Sequence, residues 1–281
     1  MTTSNISVAT YSVRDAIKKK DVGYEGIADF LLENGIKHIE LNTRFFKPLS
    51  SHPSIVGWAI STFTNLFLVK QYPLDHVLGV IKDKGVSPIM MTIDGANMFQ
   101  GSEKGREKML NYIKSWLEPA SAEGMEFARI DMGLKPLLVS SDKLLPRFNE
   151  TFGPILKAAE DLNVKLVIEN HYGPSSNVKF LLKVKEEFTS PNCGILLDFG
   201  NFKPKSGVYD AILGLKETIL ICHAKAYEFD ESGDETRLDY KRIIENLKSV
   251  GFNGYYSIEF EGKGDDLAGT KKTLELLRKY L

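Results

Sequence analysis

The sequence predicts an α/β fold, a closed eight-stranded β/α barrel. Three observations lead there: apolar strand-like runs alternate strictly with amphipathic helical patterns, eight such units can be traced, and the strands read as continuous apolar runs. Strands apolar on both faces belong to parallel sheets covered by helices, and eight repeated β/α units indicate closure more than an open sheet. The length of 281 residues suits one unit of this kind, since such barrels use about 250 residues. No interdomain linker or low-complexity stretch interrupts it, so residues 1–281 are expected to form a single TIM-barrel domain.

Taken in order, the strand-like runs end near Ser12, Asn42, Asp94, Asp131, Glu169, Asp198, His223 and Glu259. The helical patterns cover 23–35, 73–85, 105–124, 142–163, 177–188, 208–217, 239–251 and 266–281. Several helices close on a glycine just before the next strand, as in ENG-IKHIEL, DKG-VSPIMMT and SVG-FNGYYSIEF, which is C-capping followed by a short connection. One segment breaks the rhythm: residues 44–73 form a long insertion after the second strand. Its most apolar part, Ile55 to Val69, is interrupted by Ser, Thr and Asn and is too short to span a bilayer. Because βα loops emerge at the catalytic end of a barrel, the insertion reads as a lid, as a subunit contact in a homo-oligomer, or as an extra helix on the rim.

Composition narrows the class. Lys and Arg number 36 against 37 Asp and Glu, without the basic excess of a nucleic-acid binder. The opening MTTSNISVATYS lacks a basic segment followed by an apolar core, so no secretory signal is expected and the cytoplasm is the expected compartment. Cys193 and Cys222 lie in apolar strand-like runs, where a reduced, buried thiol is expected over a disulfide.

The chemistry is concentrated at four strand ends. LVIEN, ILLDFGN, LICHAK and YSIEF place Glu169, Asp198, His223 and Glu259 each at the carboxyl end of its own strand, on four consecutive strands. Carboxyl ends of barrel strands face one pocket, and neighbouring strands lie about 4.8 Å apart, so inward side chains from four of them can converge. Alone, each acid could be merely solvated or salt-bridged. Three carboxylates with one imidazole make a hard-to-borderline ligand set for one divalent ion, Mn²⁺ first, with Mg²⁺, Co²⁺ or Zn²⁺ as alternatives.

With VIENH (167–171), LLDFGN (196–201), CHAKA (222–226) and SIEFEG (257–262), the chain resembles the xylose isomerase-like barrels. That family includes ketose 3-epimerases, hydroxypyruvate isomerase, inosose dehydratase and the endonuclease IV group. The resemblance implies an ion held by Glu169, Asp198, His223 and Glu259, with the two glutamates also moving protons. An ion chelating a carbonyl and an adjacent hydroxyl acidifies the C–H between them, and a carboxylate on each side can take a proton from one face and return one to the other.

The resemblance also suggests substrate contacts. Lys225 shares a strand face with His223, as His171 does with Glu169 in the Glu-Asn-His signature; a solvated rim lysine and a surface histidine are the alternatives. Glu40, in HIELN, ends the second strand, with a salt bridge to Arg44 or Arg129 as its alternative role. Asn201 stands where many relatives carry a histidine three residues after the sixth-strand Asp; it can hydrogen-bond to substrate but is a poor metal ligand. The five histidines are too few and too scattered for a trinuclear zinc site. The expected function is therefore a metal-dependent isomerase or epimerase of a small ketose, polyol or keto acid. The alternatives are a dehydratase or lyase of inosose or 3-keto-glycoside type, and a non-catalytic sugar-binding barrel.

Overall fold

The computed structural model describes residues 5–18, 22–50, 71–137 and 139–281. Eight strands form a closed barrel in chain order: β1 (Ile6–Ala9), β2 (His38–Asn42), β3 (Ser87–Ile93), β4 (Phe127–Ile130), β5 (Lys165–Glu169), β6 (Cys193–Asp198), β7 (Ile219–Ala226) and β8 (Tyr255–Phe260). The ladders β1–β2, β3–β4, β4–β5 and β7–β8 are parallel, and β8 returns to pair with β1 in the same sense. Among the described residues the helices are α1 (Arg14–Lys18), α2 (Gly23–Glu33), α3 (Leu74–Asp83), α4 (Glu103–Ala122), α5 (Leu144–Asp161), α6 (Val178–Glu187), α7 (Gly207–Leu215), α8 (Tyr240–Ser249) and α9 (Asp266–Tyr280). None is long and apolar enough to cross a membrane.

The punctuation works as expected. Gly35, Gly85 and Gly251, which follow α2, α3 and α8, all take positive φ, the left-handed cap that a side chain would strain. Side-chain N-caps open α4, α6, α8 and α9 at Ser102, Asn177, Asp239 and Asp265. The insertion after β2 is present as the long run between Asn42 and Leu74. Most of it, 51–70, lies outside the described residues, and with it the reading of a lid, subunit contact or rim helix.

Two boundaries differ from expectation. β1 stops at Ala9 instead of near Ser12, because Thr10–Val13 coil into a 3₁₀ turn. There the Ser12 hydroxyl donates to the Ile258 carbonyl at 2.8 Å and accepts the Phe260 N–H at 2.7 Å, so its side chain serves β8 where a strand backbone would have done so. β7 continues past His223 to Ala226, because β8 keeps pairing with it through Ala226↔Phe260.

Contacts group the chain into two compact units, one within 1–41, 72–89 and 196–281, the other within 42–71 and 90–195. In the first, α9 closes against the start of the chain: the buried Asp266 carboxylate accepts the backbone N–H groups of Asp15 (2.7 Å) and Ala16 (3.2 Å), satisfying orphan donors at the start of α1. Asp266→Ala should therefore lower unfolding free energy by about 1–3 kcal/mol. Urea denaturation would show it, and an unchanged midpoint would remove Asp266 from the account. In the second unit, an aromatic cluster of Phe99, Phe148, Phe152, Phe180 and Phe188 ties α4's preceding loop to α5 and α6, with Phe148 and Phe152 stacked at 4.9 Å.

Candidate metal and substrate site

Strand periodicity positions the first group of site residues. On β7, His223 and Lys225 are two apart and share a face, and the register sets His223 beside Ser257 and Lys225 beside Glu259 on β8. Asp198 ends β6, its carboxylate oriented by the Gly200 N–H at 2.7 Å. Gly200 is needed there, since a Cβ would come within 2.8 Å of the Tyr227 hydroxyl and 2.9 Å of Lys225 Cγ.

Asp198, His223 and Glu259 are buried and face one another. His223 Nδ1 lies 3.2 Å from Glu259 Oε2 and 3.7 Å from Asp198 Oδ2. Donors about 2.0–2.2 Å from a common small cation sit about 3–4 Å apart, so these two oxygens and the imidazole nitrogen fit a divalent ion in spacing and in chemistry. Lys225, read from the sequence either as a substrate contact or as a solvated rim residue, is only 2% exposed. Its ammonium lies 2.5 Å from Glu259 Oε2, 3.0 Å from Glu261 Oε1 and 3.3 Å from Asp198 Oδ2. Burial would raise the Glu259 pKa, but its neighbours, the Lys225 ammonium first among them, outweigh it and hold the carboxyl well below its ordinary range. Glu40, fully buried, meets His223 Nε2 at 3.0 Å and accepts the Ser257 hydroxyl at 2.7 Å. Arg44 pairs with Asp94 at 2.9 Å, and Arg129 with Glu169.

The second unit carries Glu169 and His171. Glu169, at the end of β5 and 1% exposed, accepts the Arg129 guanidinium, with Nε at 2.6 Å. That pairing answers how a carboxylate can end an otherwise apolar strand. His171 Nδ1 lies 2.9 Å from Asp131 Oδ1, and its ring, at 37% exposure, is reachable from solvent. Burial lowers the His171 pKa, yet the Asp131 hydrogen bond and the charges of Glu169 and Asp131 raise it overall. Asn201 is half-buried just beyond β6.

Arg129 and Asp131 have no role assigned by sequence reading beyond one salt-bridge alternative and a strand end; the signal was the ARID run, which puts both on one strand face. Arg129→Met would leave Glu169 buried without its counter-charge and should cost about 3–5 kcal/mol in urea unfolding. The Arg129→Met/Glu169→Gln double variant should lose less, and equal losses would mean the pair is not coupled.

The xylose isomerase-like TIM-barrel family model matches residues 28–280, and the chain belongs to that family. An uncharacterised protein of Methanocaldococcus jannaschii is 25% identical over 197 residues, 64% of each chain, so the match spans less than two thirds of that relative. Among solved structures, an L-ribulose 3-epimerase superposes with a TM-score of 0.75 at 14% identity, covering 99% of this chain and 94% of the other. A probable 3-DHS dehydratase of Bacillus anthracis gives 0.68 at 16% identity, covering 97% and 98%. At these identities the structures share the fold.

Proposed function

We propose that this protein is a divalent-metal-dependent isomerase or epimerase acting on a small ketose, polyol or keto acid. The observation that carries the reading is the buried Asp198–His223–Glu259 constellation, whose donor spacing suits one ion, on a barrel of this family. In the proposal Glu169, at the end of the neighbouring strand β5, is the fourth ligand, and Mn²⁺ is the first choice of metal. The ion would supply Lewis acidity toward adjacent carbonyl and hydroxyl oxygens of the substrate.

The chain's own groups would do the rest. Glu259, beside the Lys225 ammonium, accepts the proton from the carbon beside the carbonyl. Glu169, paired with Arg129, serves the opposite face, where it takes up a proton from water and passes it to the carbon. His171 hydrogen-bonds to Asp131 through Nδ1, which in the neutral ring with Nδ1 protonated leaves Nε2 to accept from a substrate hydroxyl. Asn201 and Lys225 are further substrate contacts in this reading.

A dehydratase or lyase is the second reading. It is favoured by the fold shared with the probable dehydratase and by the His171–Asp131 pair, which could protonate a departing hydroxyl. Incubating Mn²⁺-loaded protein with a panel of ketoses and keto-sugars in D₂O separates the readings. Deuterium incorporation with epimer or isomer formation supports the first, incorporation with loss of water the second. Binding of sugar without any exchange would leave a non-catalytic sugar-binding barrel and end both.

A further inference from the structure

Glu40 and His223 are both fully buried, and the 3.0 Å contact between Glu40 Oε2 and His223 Nε2 joins strands far apart in the chain. We assign Nε2 as the donor of this contact and the carboxylate oxygen as its acceptor. The same Glu40 oxygen accepts the Ser257 hydroxyl, and Ser257 stands beside His223 in the β7–β8 register, so the oxygen is held from two sides. With its proton fixed on Nε2, a neutral imidazole has its lone pair on Nδ1, the nitrogen that faces Glu259 and Asp198. A carboxylate behind a histidine orients the ring, sets its tautomer and makes it a better donor.

We infer that Glu40 is a positioning residue that holds the His223 proton on Nε2 and thereby makes Nδ1 the ligating nitrogen. In this inference Glu40 acts through His223, in place of the substrate contact that the sequence suggests for it. The inference rests on the proposed metal site. It predicts that outer-shell loss costs about 10–100-fold in ion affinity.

The test combines long-range ¹H–¹⁵N spectra of the His223 ring with Zn²⁺ titration of the full chain, Zn²⁺ being diamagnetic. In wild type, Nε2 should be protonated with and without Zn²⁺, and Nδ1 should shift on Zn²⁺ addition. Glu40→Ala should bind Zn²⁺ about 10–100-fold more weakly, with the Nε2 proton broadened by exchange. Glu40→Gln, which keeps a carbonyl oxygen for the same contact, should recover most of the affinity, while its Nε2 proton resonance moves upfield as the acceptor loses its charge. An unprotonated or Zn²⁺-bound Nε2 in wild type overturns the inference, as does wild-type affinity in Glu40→Ala. If Glu40→Ala does not fold, an Nε2 proton unmoved in Glu40→Gln overturns it instead. Should Nδ1 of wild type fail to respond to Zn²⁺ at all, the metal-site reading falls first; a normal Nδ1 response with no effect of Glu40 sinks this inference alone.

Discussion

His223→Ala should reduce the divalent metal content of the dialysed protein from one ion per chain to near zero. His223 is the one neutral donor in the group, and its Nδ1 lies within 3.7 Å of both Asp198 Oδ2 and Glu259 Oε2. Alanine removes that donor and leaves the two carboxylates beside the Lys225 ammonium, which neutralises part of the charge that draws a cation. The loss should exceed the roughly 10–100-fold that follows from removing an outer-shell partner. Elemental analysis after dialysis measures it, with a thermal melt to verify folding. Full occupancy in a folded His223→Ala protein would be decisive against this metal site.

Glu259→Gln should retain much of the ion and lose at least about 100-fold in turnover. The amide keeps the shape and one ligating oxygen but cannot accept a proton. The carboxylate it replaces stands at the end of β8 facing His223 Nδ1 at 3.2 Å, with the Lys225 ammonium at 2.5 Å, so a proton taken there is taken beside the proposed ion. Glu169→Gln should behave alike if one face is deprotonated and the other reprotonated. The discriminating observation is exchange without product: a variant lacking only the second base should still wash substrate C–H into D₂O while failing to complete the conversion. Wild-type turnover in both variants with the ion bound would refute the two-carboxylate scheme and turn attention to Lys225 and His171.

The barrel, its β/α rhythm and the glycine stops at Gly35, Gly85 and Gly251 were legible in the sequence, because periodicity and φ preference are local properties that tertiary contacts only reinforce. The ends of β5 and β6 at Glu169 and Asp198 were legible for the same reason: a charge closing an apolar run marks where the strand leaves the core. The partners of those charges were not. Glu40 meets His223 across 183 residues of chain, Arg129 reaches Glu169 across 40, and Lys225 is drawn inward by acids on β6, on β8 and just beyond it. Which oxygen neutralises which cation depends on strand register and on the direction of side chains inside a closed sheet, and residue spacing carries neither. Local pattern therefore determined that acids and an imidazole would stand at strand ends, while the tertiary structure decided that Lys225 is buried among carboxylates and that Glu40 stands behind the histidine, because burying a charge is tolerable only where the fold supplies its counterpart.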